Sequence, residues 1–110
     1  MAKDDYFVIV YQLLKYLYEC LKNGTRPDEN KLTATYFNIP LNYWGYIVDS
    51  LSKEGFIDGV KGIPTKDGIV FNDMKEMMIT PYGIQYLFDN SLLQKAKRTL
   101  KDIKEMTPFV

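Results

Sequence analysis

The residues best placed to do chemistry lie in one stretch, Pro40 to Glu54. At about 100° per residue in a helix, Asn42, Tyr46, Asp49, Ser50 and Lys53 fall on one side, with Tyr43 at its margin. Trp44, Ile47, Val48 and Leu51 fall on the other side and must face a core. The polar stripe has groups suited to nucleic acid. A carboxamide can bond in pairs to adenine, phenols reach phosphates or thymine methyls, and an ammonium neutralises phosphate. Lys61 and Lys66 follow in a segment containing glycine and proline and could add phosphate contacts. Several features weigh against this. The helix has no arginine, its one lysine is near the far end, and Asp49 repels phosphate, while Asp58 and Asp67 offset Lys61 and Lys66. Phosphate neutralisation supplies much of the affinity for DNA. A solvated polar face with two tyrosines tucked against neighbours therefore remains an open reading of the same stripe.

Chemistry of other kinds has little material. The chain has no histidine, the most frequent general acid–base, and one cysteine, so Ser–His and Cys–His arrangements are impossible. A single thiol cannot form an internal bridge or a cysteine-built metal site. Cys20 lies among Leu17, Tyr18 and Leu21 and reads as a buried apolar thiol. The adjacent carboxylates Asp4-Asp5 and Asp28-Glu29 sit where helix starts favour negative charge. Neither a dinucleotide fingerprint nor a phosphate-binding P-loop occurs, and the glycines after residue 60 do not open a helix. The expectation is no enzyme, no catalytic residues, no cofactor and no metal.

Those side chains must be positioned by a chain of 110 residues, the length of one domain, with 46% hydrophobic and 25% charged residues. One domain over 1–110 is expected. The longest apolar run, Tyr6 to Tyr11, is far short of the ~20 residues a membrane span requires. The first residues carry Asp4 and Asp5 rather than the basic start of a secretory signal, so a cytoplasmic location without membrane contact is expected.

The spacing predicts a long helix over 4–22, with Tyr6, Ile9, Val10, Leu13, Leu14, Leu17 and Leu21 on one face and Gln12, Lys15, Glu19 and Lys22 opposite. Phe7 and Tyr11 widen the apolar face, and Asn23-Gly24 ends it. Asp28 can cap a short helix through about Thr35, a turn follows at Tyr36 to Ile39, and Pro40 opens the helix that ends at Gly55. That pair is the helix-turn-helix pattern. Strand material at Phe56, Ile57 and Val60, a loop from Lys61 to Gly68, and strands at Ile69 to Phe71 and Met77 to Ile79 favour the winged variant. The pairing of these strands, and whether Asn72 to Glu76 is a turn or a bulge, are left open. Thr80-Pro81 caps and opens a fourth helix. Asn90 breaks it, and Ser91 with Gln94 suggests a capping box for a fifth.

The run Ile79-Thr80-Pro81-Tyr82-Gly83 through Tyr86-Leu87, then Asn90-Ser91, Lys95-Ala96 and Leu100-Lys101-Asp102-Ile103-Lys104-Glu105, resembles the C-terminal signature of the YjcQ family. Lys53-Glu54-Gly55-Phe56-Ile57 is similar to that family as well. Together these motifs cover about a third of the chain. The resemblance implies a winged-helix-like fold, in a family of small proteins from Gram-positive bacteria and their phages, and brings no functional residues with it. The first helix and the 61–76 segment are longer here than in shorter family members.

The expected fold is therefore α+β, mainly α: a winged helix-turn-helix with a long N-terminal helix, a small antiparallel β wing and two C-terminal helices, the last over about 91–106. Net charge is zero but uneven. Residues 91–110 carry Lys95, Lys97, Arg98, Lys101 and Lys104 against Asp102 and Glu105. In the last helix Leu92, Leu93, Ala96, Leu100 and Ile103 share a face, with Met106 near its edge. Arg98 with Asp102 and Lys101 with Glu105 are spaced to pair on the other side. Two functions remain. One is a nucleic-acid binder, such as a prophage-type regulator, using Asn42, Tyr43, Tyr46, Ser50 and Lys53 with Lys61 and Lys66. The other is a protein-interaction or self-assembly module on the same scaffold, with Phe7, Tyr11, Leu93 and Leu100 offered to a second copy.

Overall fold

A computed structural model of the chain describes residues 5–102, with the side chain of Asp102 left out. The expectations for Ile103, Glu105 and Met106, and for the two ion pairs involving Asp102 and Glu105, lie outside the described residues. Five helices, α1 (Asp5–Asn23), α2 (Ala34–Phe37), α3 (Leu41–Lys53), α4 (Pro81–Asp89) and α5 (Ser91–Asp102), enclose one hydrophobic cluster. Between α3 and α4 run four short strands, β1 (Ile57–Asp58), β2 (Lys61–Thr65), β3 (Gly68–Asn72) and β4 (Met78–Ile79). The architecture is mainly helical α+β, with small antiparallel β pairings and two C-terminal helices.

Helix α1 is the central element. Its neighbours include α4, α5 and β4, and Ile9, Val10, Leu13, Leu14 and Leu17 are almost wholly buried. Gln12, expected on the polar side, is buried too, because a helix covered from several directions keeps no broad wet face. Helix α5 lays Leu93, Ala96 and Leu100 into the cluster beside α1. This corrects the expectation that Tyr11, Leu93 and Leu100 serve a second copy: all three are buried within the chain itself. Phe7 is half-buried, edge-on to Tyr6 at 5.1 Å.

The helix pair is divided differently from the expected division. Asp28 caps only a 3-10 turn at Glu29–Lys31, accepting from the Asn30 N–H at 3.0 Å. Thr33 then takes extended backbone and accepts from the Tyr36 N–H at 3.0 Å, starting α2. Two competing side-chain caps within six residues break what composition alone allows to be one helix. Asn38, in the left-handed region at φ 57°, ends α2, and Phe37 stacks on Trp44 to fix the angle between α2 and α3.

The strands form one excursion in two parts. β1 pairs with β4, Ile57 opposite Ile79, to make a base. β2 pairs with β3 over Lys61↔Asn72 to Thr65↔Gly68, making a tip hairpin closed by Lys66-Asp67. Base and tip are separated by Gly59 at φ 89° and Asp73 at φ 55°. A Cβ on Gly59 would sit 1.9 Å from the Glu76 carbonyl oxygen, so only glycine permits this bend.

The bends lay the tip along one flank of α3. A Cβ on Gly45 would lie 3.3 Å from the Ile69 carbonyl oxygen, and one on Gly68 would lie 2.9 Å from Asn42 Oδ1. Gly45→Leu is expected to lever the tip off α3. Amide exchange across residues 61–72 should speed up about tenfold, equivalent to ~1.4 kcal/mol of local stability, with α1 little changed. Unaltered exchange in the hairpin would show that this close approach does not hold it.

Candidate functional site

The outward side of α3 is narrower than the sequence suggests. Asn42, Gly45 and Asp49 follow one helical row, and that row faces the tip hairpin: Asn42 lies against Gly68, Gly45 against Ile69 and Asp49 near Gly62. Asn42 keeps solvent exposure on its other side, and Ser50 is half-buried. Lys53 extends into solvent, but its ammonium pairs with Asp49 Oδ2 at 2.9 Å. Lys61 and Lys66 are exposed on the hairpin, with Asp58 and Asp67 exposed beside them in sequence. From α3 through the hairpin, Lys53, Lys61 and Lys66 stand against Asp49, Glu54, Asp58 and Asp67. That face has no positive excess to attract a polyanion.

Away from the hairpin the surface is aromatic. Tyr46 is 63% exposed, and Tyr43 is half-buried beside it. Tyr6 at the start of α1 lies close enough to Tyr86, Tyr46, Tyr43 and Glu54 for each to raise its pKa, although burial of the phenol is the largest cause. Tyr86 stacks on Phe56 with ring centres 4.2 Å apart and planes 12° from parallel. Phe56 and Tyr86 in turn line a shallow pocket with Tyr82, Gln85, Asp89 and Asn90. Tyr82 is the most exposed large hydrophobic side chain among the described residues, at 71%. Phe56, Tyr82 and Tyr86 thus form an aromatic patch on and beside α4, and Tyr6, Tyr43 and Tyr46 lie in its neighbourhood on the start of α1 and on α3, with Asp5, Glu54 and Asp89 among the nearby carboxylates.

Of the residues singled out on α3, the structure brings Tyr43 and Tyr46 into the neighbourhood of this patch. It turns Asn42 toward the hairpin, and Lys61 and Lys66 lie on that hairpin. Tyr6, Tyr82, Tyr86 and Glu54 were not in the expected set. The available signal was composition: nine tyrosines in 110 residues, several outside any apolar row.

The phenols allow a direct check on this packing. Tyr43 and Tyr86, like Tyr6, are shifted above the ordinary value, first by burial and then by neighbouring negative charge, Asp5 for Tyr43 and Glu54 for Tyr86. The folded chain therefore keeps these protons to higher pH than the unfolded chain does. Their contribution to stability is intact below about pH 10 and is lost as pH rises through the folded values. Phenolate absorbance should show fewer tyrosines ionising near pH 10 in the native chain than in urea. Superimposable curves would contradict the packing.

The join between α3, β1 and α4 is held by a small set of backbone and hydroxyl bonds. Gly55, at φ 80°, ends α3, and its carbonyl accepts from the Thr80 hydroxyl. Thr80 Oγ1 caps the Gly83 N–H at 3.0 Å, the Thr80 N–H donates to the Phe56 carbonyl at 3.1 Å, and Gly83 packs against that same carbonyl. The family model described as YjcQ protein matches residues 11–106. The chain belongs to the YjcQ family. Of the stretches that resemble this family, residues 53–57 and the 79–83 start of the C-terminal run are the two sides of one contact in the fold. Among curated proteins and among solved structures, no match is found. Among the described residues no cluster of three or more potential ligands could hold a metal, and no helix is long and apolar enough to cross a membrane.

Proposed function

We propose that this YjcQ-family chain is a winged-helix binding module without catalytic chemistry, whose tyrosine face takes a segment of a partner protein. The observation that carries this reading is the aromatic patch of Phe56, Tyr82 and Tyr86, with exposed Tyr46 and half-buried Tyr43 and Tyr6 in its neighbourhood. Tyrosine gives large contact area at low entropic cost and a hydroxyl for orientation, which is why it concentrates at protein interfaces. Glu54, Asp5 and Asp89 at the edge favour a partner segment bearing arginine or lysine, and an arginine can also lie over a phenol ring.

DNA reading by Asn42, Tyr43, Tyr46, Ser50 and Lys53 with Lys61 and Lys66 has less support. Asn42 faces the hairpin, Lys53 is paired with Asp49, and the three lysines of α3 and the hairpin are matched by Asp49, Asp58 and Asp67. Sequence-directed recognition needs phosphate contacts to hold its base contacts in register.

A photo-crosslinking amino acid at position 46 tests the proposal in cells. Position 22, ~24 Å along α1 from Tyr6 at 1.5 Å per residue, is the control. A discrete protein adduct from 46 and not from 22, suppressed by Tyr86→Ala, is the expected result. Equal adducts from both positions, or crosslinks to nucleic acid alone, would defeat it.

A further inference from the structure

Lys95, Lys97, Arg98 and Lys101 are the only charged residues from Ser91 to Lys101. None of them forms an ion pair among the described residues, whereas Lys22, Arg26 and Lys53 each do. Because Leu93, Ala96 and Leu100 point into the core, the opposite side of α5 carries Lys95, Arg98 and Lys101, all exposed, with Lys97 half-buried on its flank. At 1.5 Å per residue the three exposed cations span ~9 Å on a rigid helix. Counting Asp102, Lys104 and Glu105 as well, the segment 91–105 holds five cations and two carboxylates, while the rest of the chain is net acidic.

We propose that α5 is a docking surface for the phosphate backbone of double-stranded nucleic acid, held by Lys95, Arg98 and Lys101 without regard to base sequence. A row of cations without intervening carboxylates complements a linear polyanion, and duplex DNA carries one charge per ~1.7 Å of its axis. Anionic lipid is the competing polyanionic surface, but a membrane-binding helix must bury its apolar face in the bilayer. The apolar face of α5 is already used in the core, leaving Leu92 as its one large exposed apolar side chain. Ionic contacts to phosphates position a protein but carry no sequence information. Lys95, Arg98 and Lys101 do not line the pocket of the tyrosine face, so the chain could hold a protein partner and a nucleic acid together.

Fluorescence anisotropy of the full chain against a labelled random-sequence duplex tests this. Binding is expected at ~50 mM salt and should weaken about 40-fold by ~200 mM, as three neutralised phosphates dictate. Lys95→Gln, Arg98→Gln and Lys101→Gln together should abolish it, whereas Lys95→Arg with Lys101→Arg should preserve it. Lys61→Gln with Lys66→Gln should leave affinity within about threefold, the scale of a distant screened charge. Circular dichroism checks that each variant folds. The proposal is overturned by no binding at the lower salt, by binding that survives the triple change, by loss through the hairpin change alone, or by binding to anionic vesicles and not to the duplex.

Discussion

Replacing Gly83 with alanine is expected to destabilise the chain by about 3 kcal/mol and lower its melting temperature by more than about 10 °C. A Cβ at this position would lie 2.1 Å from the Phe56 carbonyl oxygen and 2.7 Å from Ile79 Cγ1. The first of these is backbone, so no rotamer change relieves it. Helix α4 would have to move away from β1, breaking the bonds by which Thr80 ties α4 to Gly55 and Phe56. The gain in helix propensity, about 1 kcal/mol for glycine to alanine, is too small to offset that. Gly24→Ala is the comparison. Gly24, unlike Gly83, has positive φ, 69°, but nothing lies within 4 Å of its Cβ position, so only the left-handed penalty of roughly 1–2 kcal/mol applies. Thermal unfolding of the two variants checks this. Equal stability would mean that the contact between residues 53–57 and 79–83 does not constrain the fold.

Tyr46→Ala is expected to weaken binding of the protein partner about 30-fold or more, ~2 kcal/mol, the loss typical of a central interface tyrosine. The side chain is 63% exposed, so its removal leaves no cavity and should cost the isolated chain little stability. Tyr46→Phe keeps the ring and loses the hydroxyl; a loss of about threefold to tenfold, one hydrogen bond's worth, is expected. Lys61→Ala with Lys66→Ala should leave the affinity nearly unchanged, since both lie on the hairpin. Calorimetric titration with the captured partner measures all three. Unaltered affinity for Tyr46→Ala alongside a large loss for the lysine pair would move the site onto the hairpin.

Much of the helical framework was legible in the sequence because each boundary has a local chemical cause. Thr80 and Pro81 open α4 and Gly55 follows the end of α3, as propensity and capping dictate, whereas Pro40, expected in the first turn, stands just before it at the N-cap and makes no side-chain cap. The inward row of α3 followed from spacing alone: Trp44, Ile47, Val48 and Leu51 are all buried. What depends on distant neighbours was not legible. Ser91 and Gln94 have the capping-box pattern, yet Asn90 caps α5, accepting from the Leu92 and Leu93 N–H groups at 2.9 and 3.1 Å. Gln94 instead donates to the Leu87 carbonyl, a contact created by the fold of α4 against α5. The segment 61–68 read as a loop because of its glycines and proline, but it includes β2, where Gly62 lets Ile69 and Phe71 pack close. Leu93 and Leu100 read equally well as inward or as partner-facing; only the position of α5 on α1 decides that. The tyrosine face was hidden for the same reason. Tyr6, Tyr46 and Tyr86 belong to three helices, and no periodicity within one helix can reveal that they meet.

Hydrogen–deuterium exchange on the full chain, with and without the captured protein partner, tests the central claim most directly. Slowed exchange is expected at the start of α1, along the Tyr43–Glu54 part of α3 and in α4 around Tyr82 to Asp89, with none in the hairpin at 61–72. Protection confined to the hairpin and the adjoining Asn42 end of α3, leaving α4 and the start of α1 unchanged, would contradict it.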